Sequence, residues 1–233
     1  MTISKFAALT TFLATCASSQ AFIANGSFES GLAYSGGPNI FSAGTPAPWV
    51  ATSFTPDMYD NPGADGWSLA GIPAYQNMFA NTPACQGHRF IGFGASVTFN
   101  FQEAFGQSVS GLTVNQTYTI STCLITDTHA SIPQFGGPYS GFGQVDVYFN
   151  NSQIGTFTSN TTALTWQSRS FSFVAPASSG FLEFRAAINP FDPVLQGSYM
   201  GMDDIQVVPE PGSVVAMVAE LAGILVRRRR VPA

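Results

Sequence analysis

From Phe22 onward the chain runs as short stretches of β-branched and aromatic residues, each ended by a cluster of Gly, Pro or Asn. Such punctuation leaves no room for a long amphipathic helix, and no self-similarity at solenoid periods is visible. Residues 118–125 and 144–149 read as strands. The second of these turns through Asn150 and Asn151, residue types that tolerate positive φ, into a partner strand at 153–157. Residues 166–174, 181–188 and 200–208 supply three more. Residues 96–101 alternate strictly, which puts Val97, Phe99 and Phe101 on one face of a further predicted strand. Gly- and Pro-rich stretches at 35–48, 55–66 and 132–143 read as loops. The composition points the same way, because 9% charged residues, 23 Gly and 15 Pro in 233 positions favour strands and turns over helices. The expectation is all-β: a single β-sandwich over residues 22–207, large enough to bury a core.

The two ends read as addresses. Lys5, the apolar run from Phe6 to Ala17 and the small-residue site Ser19-Gln20-Ala21 make residues 1–21 a secretory signal peptide cut before Phe22. The alternative is a lipidated Cys16, although Thr15 precedes it where Gly, Ala or Ser is expected. Export leaves Cys85 and Cys123 as an even pair in an oxidising compartment, where a disulfide is expected; two unpaired thiols are the alternative. At the other end Pro209-Glu210-Pro211 precedes the apolar residues 214–226 and the cluster Arg227, Arg228, Arg229, Arg230. The apolar stretch is shorter than the roughly twenty residues of a usual membrane helix. A basic stop beside it nonetheless fixes the C-terminus in the cytoplasm and the domain outside.

In order and spacing, residues 208–230 resemble a PEP-CTERM sorting signal. The resemblance implies a short membrane helix processed by an exosortase-type enzyme, with transient residence in the inner membrane of a Gram-negative bacterium. The destination it implies is the cell surface or an exopolysaccharide matrix. Glu220 inside the apolar segment departs from the pattern, since a carboxylate there is costly to bury, as do the three residues after Arg230.

Between residues 22 and 207 only Arg89, Arg169 and Arg185 oppose eleven acidic residues. That balance excludes a phosphate-backbone footprint, so nucleic acid is not an expected partner. Neutral glycans and cations remain. The only histidines, His88 and His129, lie in no zinc spacing, and neither a Gly-x-Ser-x-Gly elbow nor a phosphate-binding Gly-x-x-x-x-Gly-Lys loop occurs. Glu103, Asp127, Asp146 and Glu183 offer carboxylates to a glycosidase, but nothing in the sequence sets one pair apart.

A second resemblance runs along the strands. Asn25-Gly26-Ser27-Phe28-Glu29, Pro48-Trp49, residues 111–118, Trp166 with Phe171 and Phe173, and Asp203-Asp204-Ile205 are similar in order to galactose-binding-like jelly rolls, a fold that includes many carbohydrate-binding modules. The resemblance implies that Glu29 on the first strand neighbours Asp203 and Asp204 on the last, where carboxylates can hold a structural Ca2+. The alternatives are that Asp203 caps a turn and that Glu29 pairs with an arginine. Trp67, Tyr75 and Tyr139 fall in or beside loops and can offer ring faces to sugars, whereas Trp49 and Trp166 are expected in the core. The function expected from these readings is non-catalytic binding or organising of exopolysaccharide. A matrix protein without a ligand and an unrecognised polysaccharide hydrolase are the alternatives.

Overall fold

A computed structural model describes residues 22–30, 39–40, 46–60, 79, 82–97, 100–126, 142–159, 164–187 and 197–210. The signal peptide, Trp67, Tyr75, Tyr139, Pro211, the apolar segment 214–226 and the four arginines lie outside these residues.

The described residues form a β-sandwich of two antiparallel sheets. The strands are β1 (Asn39–Ile40), β2 (Val50–Ser53), β3 (Asp57–Asp60), β4 (Arg89–Ser96), β5 (Phe101–Gln102), β6 (Ala104–Ser110), β7 (Thr117–Thr126), β8 (Gly143–Phe149), β9 (Ser152–Ser159), β10 (Gln167–Val174), β11 (Ser179–Ala187) and β12 (Gly197–Pro209). One sheet has the order β1-β3-β4-β12-β7-β10, with β5 paired to β4; the other has the order β2-β6-β11-β8-β9. Sequential neighbours are often split between sheets, as jelly rolls require.

Alternation along each strand builds the core between the sheets. Ile91, Phe93 and Ala95 of β4, Phe105 and Val109 of β6, Val145 and Val147 of β8 and Leu182 and Phe184 of β11 all point inward and are buried. Trp49 is fully buried and packs on Phe28, Phe105 and Phe184 with ring centroids 5.2, 5.4 and 6.1 Å away. Its indole N–H donates to the Asn25 carbonyl at 2.7 Å, so the polar atom of the largest core side chain is satisfied.

A second apolar cluster lies on the outer face of the larger sheet. Tyr59 stacks on Phe90 at 4.9 Å, with Phe79, Ile125 and Tyr199 beside them and Trp166 edge-on to Phe90. Gly92 is what lets the rings lie down, because a Cβ there would sit 2.3 Å from Tyr59 and 2.8 Å from the Tyr199 hydroxyl. Trp166 therefore belongs to this outer cluster, partly buried, and not to the sandwich interior.

Three sequence expectations need correction. Residues 96–101 are not one strand: β4 ends at Ser96, Asn100 takes φ 49° and its N–H reaches the Val97 carbonyl at 3.2 Å, so a tight turn leads into β5. Val97 is accordingly 58% exposed. Glu29 is not on a strand, although the Ile205 N–H donates to the Gly26 carbonyl at 3.0 Å and brings its segment alongside β12. The Gly- and Pro-rich stretches 35–48 and 55–66 contain β1 and β3. The hairpin at Asn150 and Asn151 forms as expected, with φ of 50° and 65°.

Candidate functional site

The outer face of the smaller sheet carries a ladder of preset polar and aromatic side chains. Alternation turns Gln144, Asp146 and Tyr148 of β8 outward, and Glu183 and Arg185 of β11. The register sets Arg185 opposite Asp146 and Glu183 opposite Tyr148. The Arg185 guanidinium lies 4.0 Å over the Tyr148 ring and donates from Nε and Nη2 to Glu183 Oε2 at 2.9 and 2.6 Å. The hydrogen bond to Glu183 is the first cause that raises the arginine above its ordinary value. The Asp146 carboxylate oxygen Oδ1 accepts from Gln144 Nε2 at 2.9 Å and from Thr156 Oγ1 at 3.0 Å. Next to this ladder the neighbouring strand β6 offers only small outward residues. Phe181 leans over Gly106, where a Cβ would fall 2.6 Å from its ring. The result is an aromatic–guanidinium shelf beside a shallow floor, with its rotamers already held.

The predicted acidic residues Glu29 and Asp203 come together around one turn, residues 85–89. Asp203 is buried, and its two oxygens accept the N–H groups of Gln86 at 2.8 Å and Asp204 at 2.7 Å. Glu29 Oε1 accepts the N–H groups of His88 at 2.7 Å and Arg89 at 2.8 Å. Gly87, at φ 67°, is required here, since a Cβ would meet the Glu29 carboxylate. The same turn is tied down by a disulfide between Cys85 and Cys123 of β7, with Cα atoms 6.3 Å apart. Burial, ahead of the charges of Asp204 and Glu29, raises Asp203 from 3.8 to about 7. A calcium site needs several oxygens converging on one point. Here the oxygens face N–H donors, and among the described residues no group of three or more His, Cys, Asp or Glu is arranged to hold a metal ion.

Asp204 sits in a bulge of β12, where the pairing with β7 shifts register between Asp203 and Gln206, and it takes φ 49°. Its Oδ1 accepts the Gln206 amide at 2.8 Å. Pro209 is the last residue of β12, and Glu210 continues it: the Glu210 N–H donates to the Thr117 carbonyl at 3.1 Å, and its carboxylate accepts from Ser172 and from Thr119. The first two residues of the Pro-Glu-Pro motif are thus docked on the sheet.

A third group is a polar inclusion in the outer aromatic cluster. The Tyr199 hydroxyl donates to Asp57 Oδ2 at 2.7 Å and lies 3.1 Å from the Tyr59 hydroxyl. Glu103 is buried at the crossing between the sheets: its N–H reaches Gly94 of one sheet, its carbonyl accepts from Ala186 of the other, and its Oε2 accepts the Gly94 N–H at 2.7 Å. Burial raises Asp57 from 3.8 to about 6, against the opposing hydrogen bond from Tyr199. Burial also pushes Glu103 well above its ordinary range, with the Asp57 charge second.

The ladder on β8 and β11 was half legible in sequence. Alternation marks Asp146 and Glu183 as outward strand residues, but only the register between the strands puts Tyr148 and Arg185 in one cluster.

No family model matches the chain, and no curated protein matches it by sequence. Among solved structures it is similar to a Stig cyclase, Fisc, from Fischerella sp. TAU in complex with (3Z)-3-(1-methyl-2-pyrrolidinylidene)-3H-indole, at 18% identity over 83% of this chain and 99% of that chain, with a TM-score of 0.50. A further cyclase from Fischerella sp. TAU aligns at 18% identity over 83% of this chain and 98% of that chain, TM-score 0.51. The carbohydrate-binding module TmCBM61, in complex with β-1,4-galactotriose, aligns at 12% identity over 82% of this chain and all of that chain, TM-score 0.45. The two cyclases share the fold with this chain. At such identity a shared fold leaves the chemistry of the site to be argued from its own residues.

Proposed function

We propose that this protein is a non-catalytic carbohydrate-binding sandwich, exported and sorted to the cell surface or matrix by its terminal signals, and that the outer face of the smaller sheet holds a neutral polysaccharide chain. The observation that carries the reading is the Tyr148–Arg185–Glu183 ladder. A sugar ring has one apolar face and a rim of hydroxyls. The guanidinium plane laid over the phenol complements the face, while the Asp146 carboxylate accepts from hydroxyls and Glu183 holds the guanidinium in place. The side chains are held by one another and by the sheet, so little rotamer entropy is lost on binding. In the destination proposed here the ligand is exopolysaccharide, and an exosortase-type enzyme is the processing partner.

The polysaccharide hydrolase is the competing reading, and Asp57 and Glu103 are its best carboxyl pair. Acid–base chemistry needs two groups whose environments push their titrations apart. Burial pushes both of these upward, Asp57 to about 6 and Glu103 well above its ordinary range, but Glu103 is buried between the sheets with its carboxylate on the Gly94 N–H, out of reach of a polysaccharide chain.

The test is a glycan array with purified protein, followed by titration of the best neutral oligosaccharide. Tyr148→Ala and Arg185→Ala should each weaken binding at least tenfold, with the melting temperature little changed. Absence of saturable binding, or binding indifferent to both changes, refutes the sheet-face site. Turnover of a polysaccharide library that Asp57→Asn or Glu103→Gln abolishes refutes the non-catalytic reading.

A further inference from the structure

A cleft of about 240 Å3 lies at the β12 bulge on the other sheet. Its polar lining comes from Ser27, Gln86, Asp204 and Gln206, and Ile23 and Val208 contribute apolar wall. The bulge is what aims these groups. Asp204 at φ 49° swings its carboxylate out of the alternation of the strand, and the Gln206 amide holds it from two residues on. Gln86 is fixed through its backbone, whose N–H is bound by Asp203 beside the disulfide. The side chains themselves are largely uncommitted. Among the described residues the Ser27 hydroxyl and the Gln86 amide make no side-chain hydrogen bond, and one Asp204 oxygen and the Gln206 carbonyl oxygen are open.

We infer that this cleft is a second ligand site, for a single neutral sugar unit or similar polyol. The complement decides the class of ligand. Two amides, a hydroxyl and a carboxylate supply donors and acceptors at several points of a small volume, which fits vicinal hydroxyls. Among the described residues no cation lines the cleft and a carboxylate does, which turns away phosphate and other anions. The cleft is smaller than the roughly 300–1,000 Å3 of sites for drug-sized molecules, so it takes one ring rather than a chain. The site shares no residue with the ladder on β8 and β11, and its existence does not depend on that reading.

The experiment is a titration of the full-length protein with methyl glycosides of glucose, galactose and mannose, followed by NMR of the sugar or by calorimetry. Three variants are compared with the unmodified protein. Asp204→Gly keeps the left-handed backbone and removes the carboxylate; Gln86→Leu removes an amide; Tyr148→Ala alters only the other face. Saturable binding of at least one glycoside, lost tenfold or more in both cleft variants and retained in Tyr148→Ala, is the expected result. No saturable binding, or binding unaffected by Asp204→Gly and Gln86→Leu in variants that melt within a few degrees of the unmodified protein, overturns the site. Binding lost only in Tyr148→Ala also overturns it, and assigns the sugar to the sheet face.

Discussion

Asp57 should make this fold less stable as the pH rises through the range in which most proteins gain stability. A carboxyl group whose titration is raised on folding binds its proton more tightly in the native state. Between the two values the native state carries more protons than the unfolded chain, so the unfolding free energy falls with rising pH. For Asp57 the window runs from 3.8 to about 6, about two pH units. At about 1.4 kcal/mol for each, the loss is ~3 kcal/mol. The perturbation is Asp57→Asn, which keeps an oxygen to accept from the Tyr199 hydroxyl, 2.7 Å away, and cannot ionise. The assay is urea unfolding of both proteins at intervals from pH 4 to pH 8. The quantity to read is the difference between the two curves, since Asp203 imposes a fall of its own toward about 7 on both. That difference should be small at pH 4 and grow to ~3 kcal/mol in favour of Asp57→Asn by pH 8. With a urea slope of roughly 1–3 kcal/mol per molar, this is a midpoint gap of about 1–3 M. A difference that stays flat from pH 4 to pH 8, or that favours the aspartate at high pH, refutes the claim that burial dominates this carboxyl group.

Two further outcomes follow from the packing. Among the described residues the buried Thr126 hydroxyl has no hydrogen-bond partner, so Thr126→Val, which keeps the shape and removes the orphan group, should raise stability by about 1 kcal/mol; a loss of stability measured by urea unfolding would show that the hydroxyl has a partner. The disulfide spans a sequence separation of 38, for which the chain-entropy account gives roughly 3–4 kcal/mol. Paired Cys85→Ser and Cys123→Ser substitutions should lower the unfolding free energy by that order, and an unchanged melting temperature would show that the bridge constrains little.

The sandwich was legible because its longest strands carry the period-2 pattern openly. Residues 144–149 alternate without a break, and two asparagines end them at the point where the backbone turns left-handed. The failures have specific causes. In β4 the outward positions 92 and 94 are glycines, so half of the alternation has no side chain to reveal it. The next alternating run, residues 96–101, carries the pattern instead, yet its ends belong to two antiparallel strands, β4 and β5. The short strands β1 and β3 sit among Gly and Pro because a few residues of pairing to a neighbour suffice to make them strands. At the acidic cluster the sequence marks the right residues as neighbours, Glu29 with Asp203. It gives no hint that the turn at 85–89 and the β12 bulge supply the N–H groups these carboxylates accept. The ladder of Tyr148 and Arg185 depends on cross-strand register, which the pattern within a single strand does not encode.

The position of β12 bears on how the domain answers a tug from the end of the chain. The strand lies between β4 and β7, paired to both, and the polypeptide leaves it at Pro209 and Glu210, where the backbone and the carboxylate are fastened to neighbouring strands. In an antiparallel ladder the hydrogen bonds run across the strands. A force applied at Glu210 along β12 therefore loads two rows of bonds together, in shear, instead of opening them one after another. A domain attached by this end resists being pulled off a surface with its most interior strand.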